Sequence, residues 1–196
     1  MSKVENPEDL DKMVQHSLGK EGLRIIVDWV ARFSRWVSPE VYREVQVVFP
    51  KTRRKHVPRE RRGQVVDGVR VWENQPAREA FWQAYDDRST RYRNYIVCHI
   101  YEGSAHLPDH FTNLANLVML PKCLESFTEW IPIRGLLEWH SYCTYGYSGP
   151  DGEGLRQPDY YPAVWPGVRR LSSERVERIV ADLKRKREKR ATYRSE

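Results

Sequence analysis

The chain has 196 residues, a formal net charge of +6 and 12% aromatic residues, with 7 Trp and 11 Tyr among them. Disordered chains are poor in aromatics, so this composition predicts one domain with a packed core. No apolar run nears the ~18 residues of a membrane span, the opening MSKVENPEDLDKM lacks the apolar stretch of a secretory signal, and 3 irregularly spaced cysteines make no disulfide framework; a cytoplasmic location is expected.

In chain order, residues 7–17 read as a short helix broken by Gly19 and Gly22. Leu23, Ile26, Val27, Val30 and Phe33 recur at helical spacing and predict an amphipathic helix over 23–36. Ser38-Pro39 restarts a helix or turn, and EVQVVF (44–49) reads as a strand ending at Pro50. Residues 51–64 contain Pro58 and Gly63 and read as a basic loop. VVDGVRVW (65–72) predicts a hairpin turning at Asp67-Gly68, and Asn74 is placed to cap a helix over 76–86. RNYIVCHIY (93–101) is a strand pattern, followed by a loop from Gly103 to Asn113 and an apolar run over 114–120. Helices are expected over 121–130 and 132–146, separated by Pro132. Residues 147–170 are rich in Pro, Gly and Tyr and are expected to pack along the surface through Tyr160, Tyr161 and Trp165. Ser172 or Ser173 caps a last helix whose stripe Val176, Ile179, Val180 and Leu183 docks, while its basic end projects.

Charge is concentrated in two places. KTRRKHVPRERR (51–62) holds seven Lys or Arg against one Glu, and KRKREKR (184–190) holds six against one. Together they exceed the whole-chain charge, so the body is mildly acidic. Clustered cations on an acidic body point to a polyanion, because they release counterions from phosphates. Arg53, Arg54, Lys55, Arg61 and Arg62, with Arg91 and Arg93 ahead of the 93–101 strand, are the expected phosphate contacts. Pro58 prevents this segment from forming one continuous recognition helix, so it would contact the backbone without reading sequence. No phosphate-binding glycine loop, dinucleotide fingerprint or nucleophile elbow is present.

Cys98-His99-Ile100 ends a strand, a loop of about a dozen residues follows, and Asn116-Leu117-Val118-Met119-Leu120-Pro121 leads into a helix. This order, over roughly residues 92–130, resembles the HNH (ββα-metal) endonuclease family. The longer phrase CHIYEGSA…FTNLANLVMLPK, with the tyrosine-rich segment behind it, is similar to a bacterial HNH-like group with a "CHI…ANLVLLP" core.

The resemblance implies an α+β fold with a small ββα-metal unit flanked by helices. Its divisions would be an N-terminal helical segment with basic loop and hairpin (1–91), the HNH-like core and following helix (92–146), a surface segment (147–171) and a basic helix with tail (172–196). It implies a metal-dependent endonuclease hydrolysing phosphodiester bonds in DNA, in a bacterial or phage setting such as restriction or defence. His99 takes the place of the general base, since a His near neutral pKa can activate water. Asn116 takes the place of the Asn that orients the loop and, through it, the His. Glu125, about nine residues further on, falls at the metal-ligand position. Cys98 stands where the family often has Asp, Glu or His, and a thiolate suits Zn or Ni better than Mg or Mn. Glu102, His106, Asp109 and His110 lie in the loop and could supply missing ligands. One divalent ion is therefore expected, Mg or Mn first and Zn or Ni next. DNA is the expected partner; RNA, a protein partner and a second copy of the chain stay open, and a membrane does not. The alternative is a nucleic-acid-binding or assembly subunit that keeps a degenerate, inactive nuclease fold.

Overall fold

The computed structural model describes residues 7–55, 59–87, 92–152 and 154–192. They form α1 (Pro7–Phe33), α2 (Pro39–Glu44), β1 (Thr52–Arg54), β2 (Val65–Val66), β3 (Val69–Trp72), α3 (Gln75–Tyr85), β4 (Tyr95–His99), α4 (Pro108–Phe111), β5 (Leu117–Pro121), α5 (Ile131–Tyr145) and α6 (Ser173–Thr192). The fold is α+β, as the sequence predicts. No helix among the described residues is long and apolar enough to cross a membrane.

The β4–β5 hairpin sits between two helical layers. Its strands are antiparallel, with Tyr95 opposite Pro121 and His99 opposite Leu117. Side chains alternate along a strand, and both faces of β5 are covered. Leu117 and Met119 enter a core with α2, α3 and α6, while Val118 and Leu120 enter a second core with α1 and α5. All four are fully buried. Truncating one to Ala would cost about 2–5 kcal/mol. The ladder continues sideways. Arg35 bridges Met119 through two backbone bonds, and the Trp36 N–H donates to the Gly167 carbonyl. The surface segment therefore closes over α1 and α5. Trp165 and Trp36 both donate to Ser34 Oγ at 2.9 Å, and Tyr160 OH donates to the Pro132 carbonyl. His140 stacks on Trp165 at 3.9 Å and meets Tyr161 OH at 2.7 Å. The expected packing of residues 147–170 is observed.

Several elements differ from the expectation. The helix expected to stop at Gly19 and Gly22 resumes at once: only Gly19 (φ 57) leaves helical geometry, and α1 runs on to Phe33. Residues 45–49 are not a strand, because no neighbouring strand offers a ladder. Val48 and Phe49 instead bond Thr112, and Gln46 O accepts from Leu114 N, so this segment braces the loop behind His99. The basic stretch is not all loop: Thr52–Arg54 forms β1, parallel to β3. The Asp67-Gly68 hairpin is present, with positive φ at both turn residues, the geometry of a type I′ turn. Asn74 precedes α3 but makes no side-chain cap bond. Residues 122–129 wind as 3-10 rather than α-helix. The basic end of α6 does not project freely: Arg190 pairs with Glu79 at 2.6 Å and lies 3.7 Å over the Phe49 ring.

The contact between Gly167 and the 34–36 segment gives a sharp test. A Cβ at residue 167 would meet Ser34 O at 2.2 Å, a backbone atom that cannot swing aside. Gly167→Ala is expected to destabilise the protein by about 1–3 kcal/mol, measured as a lower urea midpoint with an unchanged denaturant slope. An unchanged midpoint would mean that the surface segment is not closed against residue 34.

Candidate active site

His99 ends β4, and Asn116 directly precedes β5, so the hairpin register places them side by side across the mouth of a loop. That loop is built from short pieces: a 3-10 turn over Ser104–His106, α4, and a 3-10 turn over Leu114–Asn116. Pro108 starts α4 without needing a hydrogen bond at its nitrogen. Asn113 caps the last turn, its Oδ1 accepting from Ala115 N at 3.0 Å.

Asn116 holds the loop together. It is fully buried. Its Nδ2 donates to Ser104 Oγ at 2.8 Å and to His110 O at 2.9 Å, and its Oδ1 accepts from Tyr101 N at 3.2 Å. Its carbonyl accepts from Ile100 N at 3.0 Å. One side chain thus ties the start of the loop to α4. The residue after His110 is Phe111, whose carbonyl lies 3.0 Å from His99 Nε2. The two rings stack at 5.5 Å and 10°. A carbonyl only accepts, so Nε2 carries the proton and Nδ1 keeps its lone pair.

His99 forms part of the wall of a cleft of about 350 Å³, with Arg54, Asn74, Cys98, His106, Glu125 and Arg134. Burial pulls the His99 pKa down to about 4; the Phe111 bond opposes this, and Arg54 and His106 add to it. The free ring is neutral at pH 7. Burial pushes the Cys98 thiol up to about 12, helped by Glu125 and Glu129, so it stays protonated. Arg134 pairs with Glu102 and, at 3.7 Å, with Glu129.

The metal donors expected from the sequence are divided. Cys98, Glu102, His106 and Glu125 line the cleft, whereas Asp109 and His110 do not. Asp109 is exposed, and His110 Nδ1 meets the Tyr147 hydroxyl at 2.6 Å. Among the described residues no three His, Cys, Asp or Glu side chains are gathered as a cation would require.

The expected phosphate contacts also separate. Arg54 reaches the cleft. Arg53 is half-buried, and Lys55 and Arg61 are exposed. Arg62 is bound to Glu73 at 2.7 Å. Arg93 lies beyond the far end of β4, roughly 20 Å along the strand from His99. Arg91, with residues 56–58, lies outside the described residues.

Sequence reasoning missed Arg134, whose role depends on a partner 32 residues earlier. It missed Asn74 too, which reads as a cap. Asn74 lines the cleft, and its Oδ1 is buried without a hydrogen-bond partner among the described residues. No family model, curated protein or solved structure matches the chain.

The asparagine bonds and the lowered histidine pKa values can each be tested. Asn116→Ala strands the Tyr101 amide and leaves Ser104 and His110 short of a donor, so it is expected to cost at least about 2 kcal/mol. Chemical denaturation measures this, and a neutral substitution would mean the loop is held otherwise. The second test concerns pH. His99 and His140 are lowered by burial to about 4 and about 3, from an ordinary 6.5. Between pH 6.5 and 4 the unfolded chain therefore takes up protons that the folded chain refuses. Stability is full above pH 6.5 and falls on acidification, by at most about 1.4 kcal/mol per pH unit per histidine. Urea titrations at pH 7 and pH 5 should show the loss, and a His99→Gln/His140→Gln variant should show a shallower one.

Proposed function

We propose that the chain is an HNH-type endonuclease that hydrolyses phosphodiester bonds in DNA, with His99 as the general base. One observation carries this reading: a buried asparagine at the start of one strand fixes a loop whose carbonyl orients a histidine at the end of the paired strand. That is an arrangement for holding a base in one tautomer, and its reactive nitrogen is the unprotonated Nδ1. In the reaction Nδ1 takes a proton from water, the water oxygen bonds phosphorus, and the phosphorus–oxygen bond to the leaving sugar breaks, the departing oxygen taking a proton from solvent water. Arg54 supplies positive charge at the cleft edge. The low pKa of the free ring is not an obstacle, since a phosphate anion beside His99 favours the protonated form and raises that pKa.

A second reading, a DNA-binding or assembly subunit with an inactive nuclease fold, is favoured by a separate observation. Among the described residues no three His, Cys, Asp or Glu side chains are gathered as a cation would require, and Cys98, where the family often has Asp, Glu or His, is a buried neutral thiol. Plasmid nicking separates the two. The wild-type chain is expected to nick supercoiled DNA in the presence of Mg²⁺, Mn²⁺, Ni²⁺ or Zn²⁺, and His99→Ala to be slower by a factor on the order of 10² or more. Full activity in His99→Ala would remove the proposed base. Undiminished DNA binding with no cleavage under any of these ions would establish the second reading.

A further inference from the structure

The two basic segments, distant in sequence, meet in the fold. Lys51, Thr52 and Arg70 face Arg187 and Arg190 across a notch of about 220 Å³, floored by Phe49 and Pro50. The notch forms where the β1–β3 edge meets the last turns of α6. Arg70 pairs with Thr52 in the ladder, and its N–H donates to Lys51 O at 2.8 Å, so both backbones are fixed. Arg190 is held from below by the Phe49 ring and from the side by Glu79. The side chains of Lys51, Arg70 and Arg187 have no carboxylate partner among the described residues. Four cations thus line one small opening, and no carboxylate is among the described residues that line it; Glu79 pairs with Arg190 without lining the notch. Burial lowers the Arg190 pKa, Glu79 opposes this and the neighbouring Arg70 adds to it, so an anion entering the notch would offset the repulsion between the two guanidinium groups.

β1 links this notch to the His99 cleft. Thr52 lines the notch and Arg54 lines the cleft. Two residues apart on a strand, they lie on one face and about 7 Å from each other. Phosphates on one DNA strand follow one another at ~3.4 Å of rise. A strand lying along β1 would therefore bring nearby phosphates to both openings.

We propose that the notch between β1, β3 and α6 binds a backbone phosphate of duplex DNA, a few nucleotides or fewer from the phosphate presented to His99. This rests on the DNA reading above, but it concerns binding, so its test does not require cleavage. A fluorescein-labelled duplex would be titrated with the full chain carrying His99→Ala, over a range of salt concentrations, with anisotropy as the readout. Adding Arg70→Gln and Arg187→Gln is expected to weaken binding about tenfold and to lower the salt slope by about one unit, the change expected when one phosphate is no longer neutralised. Lys20→Gln/Arg24→Gln on α1 removes the same net charge away from the notch and is expected to leave the slope unchanged. Arg187 is exposed, so Arg187→Gln alone keeps the fold and should give part of the effect. The proposal is overturned if the notch variants match their parent in slope and affinity, or if the α1 control weakens binding as much. It is also overturned if duplex binding is untouched while the variants bind inorganic phosphate less tightly, because the ligand would then be a small phosphate. Failure of nicking with a notch-dependent salt slope would refute only the nuclease.

Discussion

Three hydrogen bonds from one amide side chain organise the candidate site. Asn116 is fully buried and spends two donors and one acceptor on the loop that leaves β4. Loops usually run over the surface, where water satisfies their backbone; this one is held by the side chain of its own last residue, just before β5. The consequence is a fixed Phe111 carbonyl, and through it a fixed His99 ring. The segment 45–49 presses on the same loop from the other side through Thr112. The site is therefore a product of hairpin register, one asparagine and one irregular brace.

The hairpin can serve this purpose because it is buried on both faces. A two-stranded hairpin alone is marginal in water. Here β5 feeds alternate side chains into two cores, and each core brings its own helices. The division into four successive segments that the sequence invites is thus crossed by the packing. α1 and α6 come from opposite ends of the chain yet cover opposite faces of the same strand. Charge follows the same logic. α6 brings Arg190 back against Glu79 and Phe49, next to the basic edge of β1 and β3.

The hairpin is legible in the sequence because its signals are local. YIVCH and LVMLP have strand composition, and the two are joined by a loop that contains Pro, Gly and Ser. The juxtaposition of His99 and Asn116 is visible for the same reason. The strand expected over 44–49 is a false reading of an apolar run whose partners are loop atoms. β1 is hidden inside a cationic stretch, since parallel pairing with β3 leaves no mark in its own composition. Arg190 looks like a solvated tail charge because its Phe49 and Glu79 partners lie more than a hundred residues away in the chain. Asp109 and His110 look like ligands because they are near His99 in sequence, but α4 turns them toward solvent and Tyr147. The α+β class and the docking stripe of α6 are readable; the cleft's Arg134 and Asn74 depend on tertiary contacts.

The most direct measurement is a nitrogen-15 NMR titration of His99 in the full chain, free and saturated with a non-cleavable phosphorothioate duplex. In the free protein the ring should be neutral at pH 7, protonated at Nε2 and bare at Nδ1, with a pKa near 4. With the duplex bound, that pKa should move upward as a phosphate anion arrives beside the ring. A ring protonated at Nδ1, or a His99 pKa that does not respond to saturating DNA, would contradict a base held for phosphodiester hydrolysis.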